Sequence, residues 1–117
     1  MLEINGQSIL FTRGDTGRLV AVPVVSSTGE NYVFVEGDRV IFRLRRTPDS
    51  GEVFEKDAVI DLENNRAAIR LDPEDTIDLQ MTEYRYEFEL VTALGEHYTF
   101  VANQSFTIGK ELEDHGE

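Results

Sequence analysis

The stretch Tyr84-Arg85-Tyr86-Glu87-Phe88-Glu89-Leu90 alternates apolar and charged side chains at every position. Successive side chains of a β-strand point to opposite faces, so this pattern predicts a strand with one face in a core and the other in water. A helix would instead repeat its apolar positions with a period of about 3.6 residues. The stretch therefore favours an all-β fold.

Two other segments, residues 40–45 and 66–71, show the same alternation. Turn-forming segments rich in Gly, Pro, Asp and Ser, such as Thr47-Pro48-Asp49-Ser50-Gly51, separate the strand candidates. Short strands at this spacing, without a long amphipathic helix, predict an immunoglobulin-like antiparallel β-sandwich of seven to nine strands. The weaker strand candidates are residues 8–12, 17–25, 32–35, 53–62, 97–102 and 104–108.

Two segments interrupt the β pattern. Asp72-Pro73-Glu74-Asp75-Thr76 has a capping residue, a proline at the first helical position and acids in the first turn, so it predicts one short helical turn. Pro23 lacks a backbone donor and predicts a broken strand or an edge strand. The predicted core consists of Leu19 or Val20, Val40, Phe42, Leu44, Ile69, Leu71, Tyr86, Phe88, Tyr98 and Phe106.

Length and charge limit the classes of function. The chain has 117 residues, which favours one domain over residues 1–109 followed by an acidic tail at residues 110–117. Its formal net charge is −12, and so acidic a surface repels phosphate backbones and anionic lipid. We therefore expect neither nucleic acid nor membrane as a partner.

The chain contains no cysteine, long apolar run or signal-like segment, so we expect an intracellular protein.

The sequence lacks the usual patterns of catalytic and metal sites. There is no cysteine and no Gly-x-Ser-x-Gly motif, and we interpret His97 and His115 as surface residues. A helix start explains the acidic cluster at residues 72–78 better than a cation site does, because acidic residues are favoured in the first turn of a helix. We predict a protein that is not an enzyme, with no catalytic residue, cofactor or metal.

Arginine side chains fall repeatedly on the outward phase of the predicted strands. The favoured interpretation pairs them across strands with acids such as Glu87, Glu89 and Asp61. The alternative is a contact face for another protein, because arginine is common at interfaces. Under this alternative, the candidate contact residues are Arg43, Arg45, Arg70 and Arg85. Gln104 and Phe106 are further candidate contact residues, because they belong to the last predicted strand.

The last predicted strand, Gln104–Ile108, carries neither charge nor proline. Unpaired backbone groups at a sheet edge invite a strand from another chain. If this strand is an edge, we expect a homodimer or partner contact there, and salt would strengthen self-association by screening the net charge.

Six short motifs follow one another along the chain: Thr12-Arg13-Gly14-Asp15-Thr16, Gly29-Glu30-Asn31-Tyr32, Glu36-Gly37-Asp38-Arg39-Val40-Ile41-Phe42, Leu71-Asp72-Pro73-Glu74-Asp75-Thr76, Tyr84-Arg85-Tyr86-Glu87 and Ser105-Phe106-Thr107-Ile108. In this order the chain resembles small acidic proteins from phage and prophage structural regions of Gram-positive bacteria. It also resembles the immunoglobulin-like N-terminal domains of phage baseplate upper proteins. The resemblance covers about residues 9–109 and implies a β-sandwich in a virion or tail-assembly context, without catalytic residues.

A further resemblance concerns the acidic turn that precedes Tyr84 and Tyr86. It is similar to the corner before strand F of immunoglobulin-like domains, where a tyrosine hydroxyl bonds back to the backbone. The resemblance implies this role for Tyr84 or Tyr86.

These observations together predict a non-enzymatic structural or accessory module of a phage or prophage particle, in the tail, baseplate or head–tail region. Its expected partners are other virion or assembly proteins, and its expected location is the host cytoplasm during assembly and then the virion. Two alternatives are an acidic DNA mimic that inhibits a DNA-binding protein and a carbohydrate-binding β-sandwich. A continuous carboxylate ridge would favour the first, and an exposed aromatic platform the second.

Overall fold

The computed structural model describes residues 2–3, 9–25, 27–47 and 50–109. Nearly all of the regular structure is β-strand, and the only helix within these ranges is one turn long. The elements are β1 (Leu2–Glu3), β2 (Ile9–Thr12), β3 (Gly17–Ala21), β4 (Arg39–Arg45), β5 (Glu52–Asp57), β6 (Val59–Asp61), β7 (Arg66–Leu71), α1 (Pro73–Thr76), β8 (Glu83–Val91) and β9 (His97–Gly109). The predicted acidic tail at residues 110–117 lies outside the described residues.

The strands form two sheets that pack face to face. One sheet has the order β1-β3-β7-β6, and the other has the order β2-β9-β8-β4-β5. The run β3-β7-β6 corresponds to strands B, E and D of an immunoglobulin sandwich, and β9-β8-β4-β5 corresponds to G, F, C and C′. The predicted all-β sandwich is therefore confirmed. Two pairings, β1 with β3 and β2 with β9, are parallel, whereas the others are antiparallel.

The core lies between the two sheets and is formed by alternate residues of the strands, as the period of two requires. On β8, four inward-facing side chains are buried between half-buried charged ones, and β7 also alternates, whereas on β4 the alternation is broken by Ile41, which is buried on the outward phase. Aromatic rings meet at the centre, where Phe42 lies 5.1 Å from Phe88 and 5.8 Å from Phe106, centroid to centroid. The fully buried residues include Leu19, Val40, Phe42, Leu44, Ile69, Leu71, Tyr86, Phe88 and Phe106, as predicted.

Tyr98 is the exception among the predicted core residues. It lies opposite Leu90 in the β8–β9 pairing and so occupies the inward phase, yet about half of it is exposed. The opposite sheet does not reach this position because β3 ends at Ala21, just before Pro23. Pro23 therefore interrupts the strand as expected, and the inward face of β9 is left partly open.

The strand predicted at residues 17–25 ends at Ala21, and the strand boundaries differ from the sequence prediction in three further places. The predicted strand at residues 53–62 is two strands, β5 and β6, which belong to different sheets and meet at Ala58. Residues 32–35 form no strand, although Asn31 makes an isolated bridge with Val24. The two short strands predicted at the C-terminal end are one continuous strand, β9.

The condition for a contact at Gln104–Ile108, that this strand be a sheet edge, is not met from Phe106 onward. From Phe106 onward β9 pairs with β2 on one side, and it continues to bond the β8 side on the other. Backbone groups paired on both sides offer nothing to a further strand. The contact by strand addition expected there is not available at residues 106–108.

The corner between β7 and β8 is built by local side-chain bonds. The Asp72 backbone N–H donates to the Asp75 carboxylate at 2.7 Å at the start of α1. The buried Thr76 hydroxyl accepts the Gly14 N–H at 2.9 Å and thereby ties α1 to the β2–β3 turn. Tyr84, near the start of β8, donates from its hydroxyl to the Gln80 backbone oxygen at 2.9 Å. This is the tyrosine corner that the resemblance implied, made by Tyr84.

Candidate functional site

A cleft of about 870 Å³ opens at the end of the sandwich where β3 and β8 finish and β9 begins. One wall comes from the chain after β3, at residues 21–25. The other wall comes from the end of β8, the β8–β9 turn and the first part of β9, at residues 90–101. Tyr32, Val35 and Asp38, from the connection between β3 and β4, complete the lining.

Tyr32 and Asp38 hold the connecting segments in place. One carboxylate oxygen of Asp38 accepts both the Tyr32 hydroxyl and the Val35 N–H at 2.9 Å. The other oxygen accepts the Ala93 N–H at 3.0 Å. Asp38 is buried, and a buried carboxylate needs such donors to offset its lost hydration. This one side chain therefore links the β3–β4 connection to the β8–β9 turn.

Asn65 fixes the same connection from the other sheet. Its side-chain oxygen accepts the Phe34 N–H at 2.8 Å, and its side-chain nitrogen donates to the Tyr32 backbone oxygen at 2.9 Å. Asn65 has φ of 55°, in the left-handed region that asparagine tolerates better than most residues. The Tyr32 backbone N–H also donates to the Pro23 oxygen at 2.8 Å. Tyr32 is thus bonded at its N–H, its carbonyl and its hydroxyl.

The walls of the cleft expose large apolar side chains. Val24 is 57% exposed and Val35 is 51% exposed on the side of the β3–β4 connection. Leu94 is 87% exposed and Tyr98 is 53% exposed on the side of the β8–β9 hairpin. Single exposed apolar residues are normal, but several around one concave surface mark a binding site.

Two acidic residues line the cleft: Asp38, which is buried, and Glu96, which is exposed. The segments that form its walls, residues 22–38 and 90–101, also contain Glu30 and Glu36 but no lysine or arginine. Arg39 is a near neighbour, opposite Val91 in the β4–β8 pairing, and its guanidinium is bonded to Asp57 of β5 at 3.0 Å. Negative potential is expected to concentrate at the mouth of the cleft.

The two tyrosines of the cleft have raised pKa values. Burial raises the pKa of Tyr32, and the Asp38 carboxylate that accepts its hydroxyl raises it further. Glu96 accepts the Tyr98 hydroxyl at 3.1 Å and raises the pKa of Tyr98 by favouring its neutral form. Both hydroxyl groups are protonated at neutral pH and act as hydrogen-bond donors.

The predicted contact residues Arg43 and Arg45 lie on the outer face of the larger sheet, away from the cleft. Arg43 bonds Glu87 at 3.1 Å and Glu89 at 2.7 Å, and Arg45 bonds Glu87 at 3.4 Å. Across the strands, Glu55 and Glu52 add longer ion pairs to Arg43 and Arg45. The favoured interpretation, cross-strand pairing of these arginines, is confirmed for Glu87 and Glu89.

The other predicted contact residues do not meet in one place. Arg70 is exposed and bonds Asp72 at 2.6 Å, while Arg85 pairs with Glu83 at 3.6 Å on the other sheet. Gln104 is half-buried on β9 opposite Tyr86. Phe106 is fully buried among Phe11, Phe42 and Tyr86, so its inclusion as a contact residue is wrong: its side chain cannot reach a partner.

Sequence reasoning missed the cleft itself. Its lining residues come from segments that are far apart in the sequence and become neighbours only through the sheet topology. One signal was available in the sequence: residues 22–38 and 90–101 contain seven valines and four acidic residues but no lysine or arginine.

Within the described ranges no group of three or more His, Asp or Glu side chains is arranged to hold a metal ion. In the same part of the chain, no helix is long and apolar enough to cross a membrane. Comparison with protein-family models finds no matching family, and comparison with curated proteins finds no matching relative.

Proposed function

We propose that this chain is a non-enzymatic protein-interaction module, a structural or accessory component of a phage or prophage particle. The observation that supports a binding role is the apolar cleft, whose exposed valines, Leu94 and Tyr98 lie between connections held rigidly by Asp38. A protein partner would cover these side chains and gain hydrophobic free energy from their burial. The cleft is the site of that contact.

The particle context rests on the resemblance to phage and prophage structural proteins. Domains of that kind act through contacts with other virion or assembly proteins, in the tail, baseplate or head–tail region. The chain would meet its partner in the host cytoplasm during assembly and would remain in the virion.

The charge pattern favours a protein partner over the role of a DNA mimic. A mimic needs an unbroken row of carboxylates, but on the larger sheet the acids alternate with Arg39, Arg43 and Arg45 and pair with them. A carbohydrate-binding module needs an exposed aromatic platform, but Tyr84 and Tyr86 are buried, Tyr32 is half-buried, and Tyr98 is the one tyrosine among the described residues that is exposed. Tyr32, Tyr98 and Phe100 do line the cleft, and a protein partner is favoured because exposed valines and Leu94 line it with them.

Particle composition tests the proposed function. In the bacterial strain that encodes the chain, the gene is deleted and complemented with wild type, with the cleft variant Val35→Asp/Leu94→Asp, or with the control Leu10→Asp/Val59→Asp. Leu10 and Val59 are exposed and do not line the cleft, so the control matches the two added charges and the two lost apolar side chains. We expect the wild type and the control, but not the cleft variant, to restore normal yields of particles that contain the chain. Two results together would refute the proposal: a normal particle yield after deletion, and absence of the chain from the particles and assembly complexes of the wild-type strain.

A further inference from the structure

Resting on the proposed function, we infer that the cleft binds an extended segment of a partner protein that carries an aliphatic or aromatic side chain flanked by lysine or arginine. The cleft has three features that favour such a segment: its shape, its exposed apolar groups and its charge.

The shape of the cleft suits an extended segment. One wall is extended chain at residues 22–25, of which Val24 bridges to Asn31, and the other wall combines the β8–β9 turn with the first half of β9. Among the described strands, β2 covers β9 only from Phe106 onward, so none pairs with residues 97–105 on that side. The β8–β9 register also shifts twice, on either side of Phe88. Such irregularities weaken continuous strand addition, so side chains should dominate recognition.

The apolar groups point to an apolar side chain as the central contact. Val24, Val35, Leu94 and Tyr98 are each about half exposed or more, and all line the same cleft. Buried Leu90 and half-buried Phe100 lie beneath them as a preformed apolar base. Binding sites of this kind combine apolar anchors with a small number of polar groups that set orientation.

The charges decide which residues should flank that side chain. Glu96 lines the cleft and is exposed, and Glu30 and Glu36 belong to the connection that forms its other side. Among the described residues no lysine or arginine lines the cleft, and the neighbouring Arg39 is paired with Asp57, so an acidic segment would be repelled and a basic one attracted. A second copy of this chain is a poor occupant, because it brings a net charge of −12 to an acidic site.

The cleft is also organised before a partner arrives. The Asp38 carboxylate accepts three hydrogen bonds, and Asn65 holds the backbone of Tyr32 and Phe34. Fixing these connections within the fold lowers the ordering cost of binding. Glu96, bonded to the Tyr98 hydroxyl, is left at the rim with one oxygen free of that bond to receive a basic group.

Defined peptides test the inference. The probe is a fluorescein-labelled nonapeptide of alternating valine and lysine, and binding to the intact chain is followed by fluorescence anisotropy. One matched peptide replaces lysine with glutamate, and another replaces valine with serine. We expect the Val/Lys peptide to bind at least about tenfold more tightly than either one, with affinity falling as salt rises. Equal binding of all three peptides would overturn the inference.

Paired variants place the peptide in the cleft. Glu96→Lys should weaken binding of the Val/Lys peptide about tenfold, while Glu74→Lys, at an exposed position of α1 at the opposite end, should change it less than twofold. Val35→Ser should likewise weaken binding, whereas Val59→Ser should not. Circular dichroism establishes that each variant is folded.

For wild type, NMR shift changes on peptide addition should concentrate at Val24, Val35, Leu94 and Tyr98, and changes clustered elsewhere would contradict the site.

Failure of this inference can be told apart from failure of the proposed function. If the cleft variant disrupts particles but no Val/Lys peptide binds, the binding module stands and the partner chemistry is wrong. If the chain itself forms a dimer that competes with the peptide, the occupant is a second copy and the inference is overturned. Sedimentation of the wild type and of Val35→Asp/Leu94→Asp separates these outcomes.

Discussion

The Tyr84 hydroxyl donates a hydrogen bond to the Gln80 backbone oxygen, and the contribution of this one group to stability can be measured by removing it. Tyr84→Phe keeps the buried ring and the Arg46 guanidinium over it at 5.7 Å, and deletes only the hydrogen bond. We expect the free energy of unfolding to fall by about 1 kcal/mol, the usual net value of such a bond. Urea denaturation followed by circular dichroism measures the change.

Tyr98→Phe is the matched control for Tyr84→Phe. Its hydroxyl bonds Glu96 within an exposed hairpin, so its loss should change stability by less than about 0.5 kcal/mol. Equal effects of the two substitutions would show that the corner bond does not stabilise the fold.

Phe88 anchors the aromatic core of the larger sheet. Its ring contacts those of Phe42, Tyr86 and Phe100, and the side chain is fully buried. Phe88→Ala should lower the free energy of unfolding by about 3–5 kcal/mol, because transfer free energy is lost and a cavity is left. Val59→Ala, at an exposed position, should change it little. A Phe88→Ala protein as stable as wild type by urea denaturation would contradict the assignment.

At the scale of the elements, the cross-strand ion pairs bind β4, β8 and β9 together on the outer face. Glu89 of β8 accepts from Arg43 of β4 at 2.7 Å and lies 2.7 Å from the His97 ring nitrogen of β9. Its side chain is only 15% exposed, so these contacts are less screened than surface pairs. The Arg43 guanidinium, and then His97, hold the pKa of Glu89 below its ordinary value.

This lowered pKa gives the stability a defined pH dependence. A carboxyl group whose folded-state pKa is depressed stabilises the fold above its unfolded pKa, near 4.5, and loses that contribution as pH falls through the folded value. Glu89→Gln should therefore lower the unfolding free energy at pH 7 by about 1–2 kcal/mol, and the difference from wild type should shrink below about pH 4. Urea titrations from pH 7 to pH 3 measure it.

Glu83→Gln provides the comparison on the same strand. Its pair with Arg85 is exposed and 3.6 Å long, and exposed pairs contribute little. A pH-independent difference for Glu89→Gln, or an equal effect of Glu83→Gln, would contradict the role assigned to Glu89.

At the scale of the whole molecule, the net charge of −12 makes the fold sensitive to salt. Self-repulsion destabilises a compact state, and added salt screens it. We expect the melting temperature to rise by several degrees between about 10 mM and 300 mM NaCl, as followed by differential scanning fluorimetry. A falling melting temperature would mean that the ion pairs on the sheet outweigh the net repulsion.

Adding calcium at constant high salt tests whether the acidic residues around α1 form a specific cation site, because general charge screening is then already in place. The acids around α1 are committed to the fold, since Asp75 accepts the Asp72 N–H and lies 2.7 Å from Lys56. Adding about 1 mM CaCl₂ in 150 mM NaCl should leave the melting temperature unchanged, because only a ligand bound by the folded state raises it. A rise of several degrees would reveal a cation site at these acids.

The sequence alone determined those features whose cause is local. The alternation through Tyr84–Leu90 predicts β8 because burial on one face of a strand imposes a period of two. The residue types from Asp72 to Thr76 predict α1 because capping and proline geometry act within a few residues. The core residues on β4, β7 and β8 follow from the same local patterns.

Only the tertiary structure decided which segments meet. The order of strands in the sheets places β2 beside Phe106 and removes the predicted edge, and no local pattern specifies that pairing. Tyr98 has the pattern of a core residue, but it is exposed because β3 ends before reaching it. The cleft brings residues 21–38 against residues 90–101, and Asp38 bonds Ala93 across 55 positions of sequence. Such contacts depend on how whole sheets pack, which is why the candidate site could not be read from neighbouring residues.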